Sequence, residues 1–429
     1  MARLSKEPLQ VDVTALHDRG YGLSGDGRIA VLGALPGETL TVLPFSRRHK
    51  KIYCRIESIE NASADRVEPA CSVAGVCGGC SLQHMEHKAQ IEFKQTAWLN
   101  TFVSSPEEIL PPLLGPTINY RSKARLGARF VAKKGKVLVG FREKMKGFIT
   151  ETESCKTLRL PAGDLLEPLA EMLMELSDPK SVPQIEVAIG DATTAFVIRH
   201  LDDLTNADLG ILQKFSEDHQ VHIYLQPSDP ESVYRLCPDD GDEYLYYDLV
   251  DYDLRIFFTP LDFTQVNHSI NQSLVNLAIT LLAPGQDDEV LDAFCGIGNF
   301  SLAVARIVRH VTGLEFAAAS VERAEYNAKT NGIENVTFLS RDLFREQVTD
   351  LLEPISHVLL DPPRTGAETL VKTLAESNVR RVVYVSCNPQ TLARDVEILV
   401  KGGYHFDKAG VLDMFPHTTH IESIAVLSR

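Results

Sequence analysis

The sequence predicts an α/β protein: a C-terminal parallel sheet with helices on both faces, preceded by a small β-barrel and a mixed α+β middle region. Three observations carry this. From about residue 263 onward, short apolar strands (EVLDAF, VTGLEF, VTFLS, HVLLD, VVYVS) alternate with helical stretches, the pattern of a parallel sheet covered on both sides. Residues 9–60 instead carry LQVDVTAL, RIAVLGAL, ETLTVLPF and KIYCRIESI, separated by breaks at Gly20–Gly27 and Pro36–Gly37. Four or five strands in so short a span favour closure, which removes the sheet edges. Finally, 429 residues exceed one ordinary core, so two or three domains are expected.

Hydrophobic content of 44% and charged content of 24% are those of a folded globular chain. The start MARLSKEPLQVDV has no apolar core region, and no stretch approaches the length of a membrane span. A cytoplasmic protein is the expectation. Its eight cysteines then point to metal or catalytic chemistry before disulfides. The net charge of −15 is unevenly spread: residues 1–150 hold 22 Lys+Arg against 14 Asp+Glu, and residues 151–429 hold 21 against 44. Within 117–150 there are ten basic residues and one acid, Glu143, with Tyr120, Phe130, Phe141 and Phe148 between them. That hairpin is expected to dock a polyanion.

After the barrel, NASADRVEPA at 61–70 reads as a linker. CSVAGVCGGC follows, with Cys71, Cys77 and Cys80 spaced C-x5-C-x2-C and glycines that let the chain wrap a metal centre closely. A fourth ligand is needed, and Cys155 is the best placed; spacing leaves zinc and an iron–sulfur cluster both open. Cys54, Cys237 and Cys295 sit in apolar or β-type surroundings and read as filler. A helix is expected over about 85–103, then the basic hairpin. The acidic stretch 160–262 offers scaffold and no chemistry.

In EVLDAFCGIGNFSLAVA, an apolar strand meets Gly296 and Gly298 and then a helix, so a ligand can approach the backbone at the C-terminal sheet edge. The motif is neither GxGxxG nor a P-loop. Glu315 ends the next strand, where a carboxylate can accept hydrogen bonds from a ribose diol, and Asp342 follows the third, level with an adenine. Acids at successive strand ends suit an uncharged nucleoside such as that of S-adenosylmethionine, and suit a phosphate poorly. Asp361 ends the fourth strand in LDPPRTG; amino-methyltransferases acting on adenine carry an aromatic where Arg364 stands here, so a stacking platform is missing.

Cys387, in VVYVSCNPQTLARD, leaves an apolar strand just before an Asn-Pro helix start, where the helix N-terminus favours a thiolate. Methylating an exocyclic amine needs no covalent nucleophile. Methylating carbon 5 of a pyrimidine does: a thiolate added to carbon 6 makes carbon 5 electron-rich, and a base must later remove its proton. Glu422 in HTTHIESIAVL, after His417 and His420, is the best candidate for that base.

Together CSVAGVCGGCSLQH, DFTQVNHSINQ, LDAFCGIGNF, LDPPRTGA, VSCNPQTLARD and HTTHIES resemble, over essentially the whole chain, the bacterial uracil-C5 RNA methyltransferases, most closely those of 23S rRNA. The resemblance implies three domains. Residues 1–65 would form an OB-like TRAM barrel that binds RNA. Residues 66–262 would form an iron–sulfur middle domain, discontinuous because about 90–116 packs on the catalytic part. Residues 263–429 would form a Rossmann-like class I S-adenosylmethionine-dependent methyltransferase domain. It further implies a [4Fe–4S] cluster on Cys71, Cys77, Cys80 and Cys155. Gln265, Phe294, Asn299, Glu315, Asp342 and Asp361 would contact S-adenosylmethionine, with Cys387 as nucleophile and Glu422 as base. The expected partner is 23S rRNA, with the protein a monomer. The competing expectations are the same chemistry on tRNA or another rRNA uridine, and a non-catalytic RNA-binding protein.

Overall fold

The computed structural model describes residues 7–239 and 244–429; the first six residues of the expected barrel segment and 240–243 of the acidic stretch lie outside it. Strands β1 (Leu9–Leu16), β2 (Tyr21–Ser24), β3 (Ile29–Leu32), β4 (Thr39–Arg48) and β5 (Lys51–Asn61) close into a barrel in the order β1-β2-β3-β5-β4. The Gly20–Gly27 break therefore contains a strand. Gly22 is the reason it reads as a break: a Cβ there would lie 2.6 Å from Val13 and 2.9 Å from Ala34, so this glycine serves close packing inside the barrel.

Helix α1 (His87–Leu99) and the two-residue strand β6 (Glu108–Ile109) come next, then the hairpin β7 (Lys123–Val131) and β8 (Lys136–Gly140). The hairpin is not free-standing. It forms one side of a six-stranded sheet, β12-β11-β10-β9-β7-β8, with β9 (Gln184–Ile189), β10 (Thr194–Arg199), β11 (His222–Gln226) and β12 (Tyr234–Cys237). Helices α2 (Leu166–Glu175) and α3 (Asn206–His219) bury Leu166, Leu169, Leu173, Leu212 and Phe215 in its core. A two-stranded sheet, β13 (Leu245–Leu249) and β14 (Leu254–Phe258), leads into the C-terminal part.

There α4 (His268–Leu282), β15 (Glu289–Ala293), α5 (Ser301–Ala305), β16 (His310–Glu315), α6 (Ala318–Thr330), β17 (Val336–Ser340) and β18 (His357–Leu360) alternate as expected. They are followed by α7 (Glu368–Ala375), β19 (Arg381–Ser386), α8 (Pro389–Lys401), β20 (His405–Leu412) and β21 (Glu422–Ser428). The sheet order is β17-β16-β15-β18-β19-β21-β20-β6. Strands β15 to β19 are parallel, and β21 runs antiparallel to both β19 and β20. Alternate residues of β19 feed two cores: Val383 and Val385 pack on the α4–α6 side, Val382 and Tyr384 on the α7–α8 side.

Two early elements belong to this sheet. Strand β6 pairs in parallel with β20, and Trp98 of α1 is wholly buried in the core beneath α7 and α8. Beside it, Lys94, only 1% exposed, donates to Asp413 Oδ1 at 2.7 Å and to the Phe415 carbonyl at 2.9 Å. His87 Nε2 meets the other Asp413 oxygen at 2.7 Å. Removing one member of a buried ion pair strands its partner. Lys94→Met is expected to cost about 3–5 kcal/mol in urea unfolding, and Lys94→Met with Asp413→Leu to recover most of it. Equal loss in both variants would overturn this account.

Candidate active site

The parallel strands end level with one another. Ala293 of β15 is opposite Leu314 and Leu360, Glu315 is opposite Ser340, and Leu360 is opposite Tyr384. Phe294, Glu315, Asp342, Asp361 and Cys387 thus lie at or just beyond one C-terminal edge, flanking the point between β15 and β18 where the strand order reverses. Ser386 pairs with Ser423, so the next step carries Cys387 out of the sheet level with Glu422. Asn388 caps α8, accepting from Gln390 N at 3.2 Å, with Pro389 in the first turn. Sequence reasoning chose Cys387 and Glu422, and the structure brings them level with each other.

It misjudged the thiol's charge. Burial pushes Cys387 up to about 11, Glu422 and Asp361 add to the rise, and Arg364 opposes it. One helix N–H is already taken by the Asn388 cap, and the α8 N-terminus does not outweigh burial beside two acids. Glu422, 4% exposed, is held well above the usual carboxyl range by burial and then by Asp361, against Arg364. Asp361 is pushed up to about 7 by burial and then by Asp292, while Gln265 Nε2, donating at 3.2 Å, opposes the rise. Burial thus disfavours the ionised forms of both the Cys387 thiol and Glu422.

Next to this pair is a cradle. Glu315 accepts from Phe316 N at 2.8 Å, Ala317 N at 3.0 Å and Gly296 N at 3.3 Å. Phe294 has φ +65°, left-handed for a bulky aromatic and hence strained; its ring meets Phe344 at 5.6 Å. Asp342 caps the same turn by accepting from Phe344 N at 3.1 Å. Asn299 is engaged inward: Oδ1 accepts from Tyr247 Oη at 2.8 Å and Asn271 Nδ2 at 2.9 Å, and Nδ2 donates to Asn271 Oδ1 at 3.0 Å. Two further groups shape the charge of the site. Asp292 is fully buried, accepts from Ser301 Oγ, leaves Oδ1 unpaired and is pushed up to about 7, chiefly by burial. Arg364 Nη2 reaches His420 Nδ1 at 3.0 Å, which ties the Asp361 loop to the turn before Glu422.

Cys71, Cys77, Cys80 and Cys155 line one small cavity with Phe141 and Leu166. The structure does not draw these thiols into metal-ligand geometry: among the described residues no group of three or more His, Cys, Asp or Glu could hold a metal ion as they stand. Gly78 has a second reason to be glycine, since a Cβ there would lie 2.8 Å from the Arg142 carbonyl. Cys54, Cys237 and Cys295 are buried, as filler should be.

The basic hairpin departs from its expected role. Lys123 is turned inward, donating to the Pro260 and Asp262 carbonyls at 2.6 Å each. Arg125 pairs with Glu186, Lys134 and Lys136 with Glu151, and Lys146 with Glu143. Tyr120, 3% exposed, donates to the Pro416 carbonyl at 3.1 Å. Glu186 is distant in sequence and Glu151 lies just past the segment, so the charge counted within 117–150 overstated the free positive surface.

The family model for tRNA (Uracil-5-)-methyltransferase matches residues 241–429. A relative from Hahella chejuensis, 23S rRNA (uracil(1939)-C(5))-methyltransferase RlmD, is 44% identical over 439 residues, covering 100% of this chain and 98% of its own. One of the same name from Bordetella avium is 43% identical, with 98% and 90% covered. The chain belongs to the RlmD family of RNA uracil-C5 methyltransferases. Pyrococcus abyssi tRNA (uracil-54, C5)-methyltransferase, solved with S-adenosyl-L-homocysteine, superposes with a TM-score of 0.75 over 98% of this chain and 100% of that one. At 23% identity it shows that this RlmD-family chain shares the fold.

For this RlmD-family site the charge balance makes a pH prediction. Alkylation of Cys387 by iodoacetamide without substrate, followed by peptide mass spectrometry, is expected to keep rising with pH toward about 11. A plateau near the ordinary thiol value of about 8.5 would overturn the electrostatic account.

Proposed function

We propose that this chain transfers a methyl group from S-adenosylmethionine to carbon 5 of a uridine in 23S rRNA, forming 5-methyluridine. The observation that carries it is the pairing of Cys387 with buried Glu422 at the C-terminal edge of the methyltransferase sheet. Both curated relatives described above are named for that reaction.

Gln265, Phe294, Asn299, Glu315, Asp342 and Asp361 would hold the methyl donor: Glu315 for the ribose, Asp342 for the adenine side, and Asp361 with Gln265 nearest Cys387. Positive charge on the sulfonium favours ionisation of the neighbouring acids and thiol. Deprotonated Cys387 Sγ adds to carbon 6 of the flipped uracil, forming an S–C bond and an enolate that makes carbon 5 nucleophilic. Carbon 5 takes the methyl group, and the sulfonium leaves as a neutral thioether. Glu422 then removes the carbon-5 proton, the S–C bond breaks and the thiolate is restored.

We also read Cys71, Cys77, Cys80 and Cys155 as ligands of a [4Fe–4S] cluster. An all-sulfur donor set on one cavity supports this. Bound there, the cluster would tie the 71–80 loop to the segment around Cys155; no step of methyl transfer runs through it. The division into a TRAM barrel over 1–65, a middle domain over 66–262 and a catalytic domain over 263–429 is part of the same reading. So is a cytoplasmic monomer. Among the described residues no helix is long and apolar enough to cross a membrane.

The test is tritium release from 5-labelled uridine in rRNA. Cys387→Ala is expected to abolish it, and retained turnover would end the covalent route. Glu422→Gln is expected to slow turnover by about 10²–10⁴-fold and to accumulate an RNA–protein adduct on denaturing gels. Absence of the adduct would move the base elsewhere. The modified position is mapped in rRNA and tRNA from wild-type and deletion cells, and a tRNA signal alone would replace the rRNA substrate. Anaerobically purified protein is expected to carry iron, sulfide and visible absorbance that Cys155→Ser diminishes. Zinc in their place would overturn the cluster.

A further inference from the structure

We propose that Arg19 and Arg121 form a seat for a phosphodiester of single-stranded RNA beside the target uridine. The proposal rests on the methyltransferase reading for the identity of the anion.

Four parts of the chain build one crevice. Arg19 comes from the barrel's β1–β2 turn, Gly78 and Gly79 from the cysteine loop, Arg121 and Phe141 from the flanks of the hairpin, and His420 from the turn before Glu422. In a chain of net charge −15, no carboxylate lines this crevice. Among the described residues neither arginine forms an ion pair; Asp18, the acid next to Arg19, turns to His17 instead. In the hairpin, Arg125 pairs with Glu186 and Lys134 and Lys136 pair with Glu151, whereas these two guanidiniums have no carboxylate partner. Two planar forks converging from different domains suit the tetrahedral oxygens of a phosphate.

The position ties the seat to the reaction. His420, in the crevice wall, is bonded at 3.0 Å to Arg364, the cation that opposes the rise of Cys387. Glu422 lies two residues further on. In the other direction the crevice runs past Gly79 and Phe141 into a broader trough walled by Tyr21 and Tyr53 of the barrel. An extended strand lying there presents a phosphate to the arginines, an arrangement that suits unpaired RNA.

The experiment measures binding of a 23S rRNA fragment to the full-length protein across a salt series, separately from tritium release. Arg19→Gln and Arg121→Gln together are expected to raise Kd and KM for RNA roughly tenfold and to lower the salt slope by about 0.7 for each lost contact. Their urea unfolding midpoints should match wild type. Arg121→Lys, which keeps the charge, should restore most of the slope, and Lys134→Gln with Lys136→Gln, both paired with Glu151, should leave it unchanged. An unaltered slope in the double arginine variant, or an equal fall in the lysine variant, overturns the seat. Wild-type protein that binds through these arginines without releasing tritium would instead sink the methyltransferase reading and leave the seat standing.

Discussion

The site depends on the antiparallel insertion of β21 between β19 and β20. Because Ser386 faces Ser423, Cys387 leaves β19 level with Glu422, the first residue of β21, which pairs with Leu412 of β20. One strand reversal thereby sets a thiol and a carboxyl side by side in a poorly solvated place. Their mutual electrostatics follow from it. Glu422 and Asp361 disfavour the thiolate of Cys387, Asp361 disfavours the carboxylate of Glu422, and Arg364 opposes both shifts.

The turn that delivers Glu422 into that strand is held from three directions. Lys94 and His87 of α1 grip Asp413. Gln90 Oε1 accepts from His417 N at 3.0 Å. The cysteine loop grips the His417 carbonyl through Ser81 N at 2.8 Å and Leu82 N at 2.9 Å. His417 itself has φ +63°, a conformation that persists because these bonds over-determine it. The cysteine loop thus reaches the strand that bears Glu422 through backbone bonds.

Charge is organised along similar lines. The acidic excess of the C-terminal two-thirds is not merely solvated surface. Glu151 and Glu186 return to the hairpin and neutralise it, and the Pro260 and Asp262 carbonyls occupy Lys123. The crevice over the turn before Glu422 is lined by Arg19 and Arg121 and by no carboxylate. A protein of net −15 can still receive a polyanion because the local field at the contact decides, and screening removes distant acids beyond about 10 Å at moderate salt.

Much of this was legible in the sequence. The alternation after residue 263 follows from the burial of parallel strands on both faces, so EVLDA, VTFLS and VVYVS could be found from apolar runs alone. Cys387, Glu315 and Asp361 were legible as strand-end residues, because such folds bring those ends to one edge. The family motifs carried the remaining ligand positions. Tertiary structure alone decided the partners: Glu186 for Arg125, Asp413 for Lys94, buried acids beside Cys387. Ion pairing and desolvation depend on through-space distance, and sequence patterns encode only the periodicity of an element and its ends. Local order was therefore written in the chain, while protonation and free charge were set by what folding brought near.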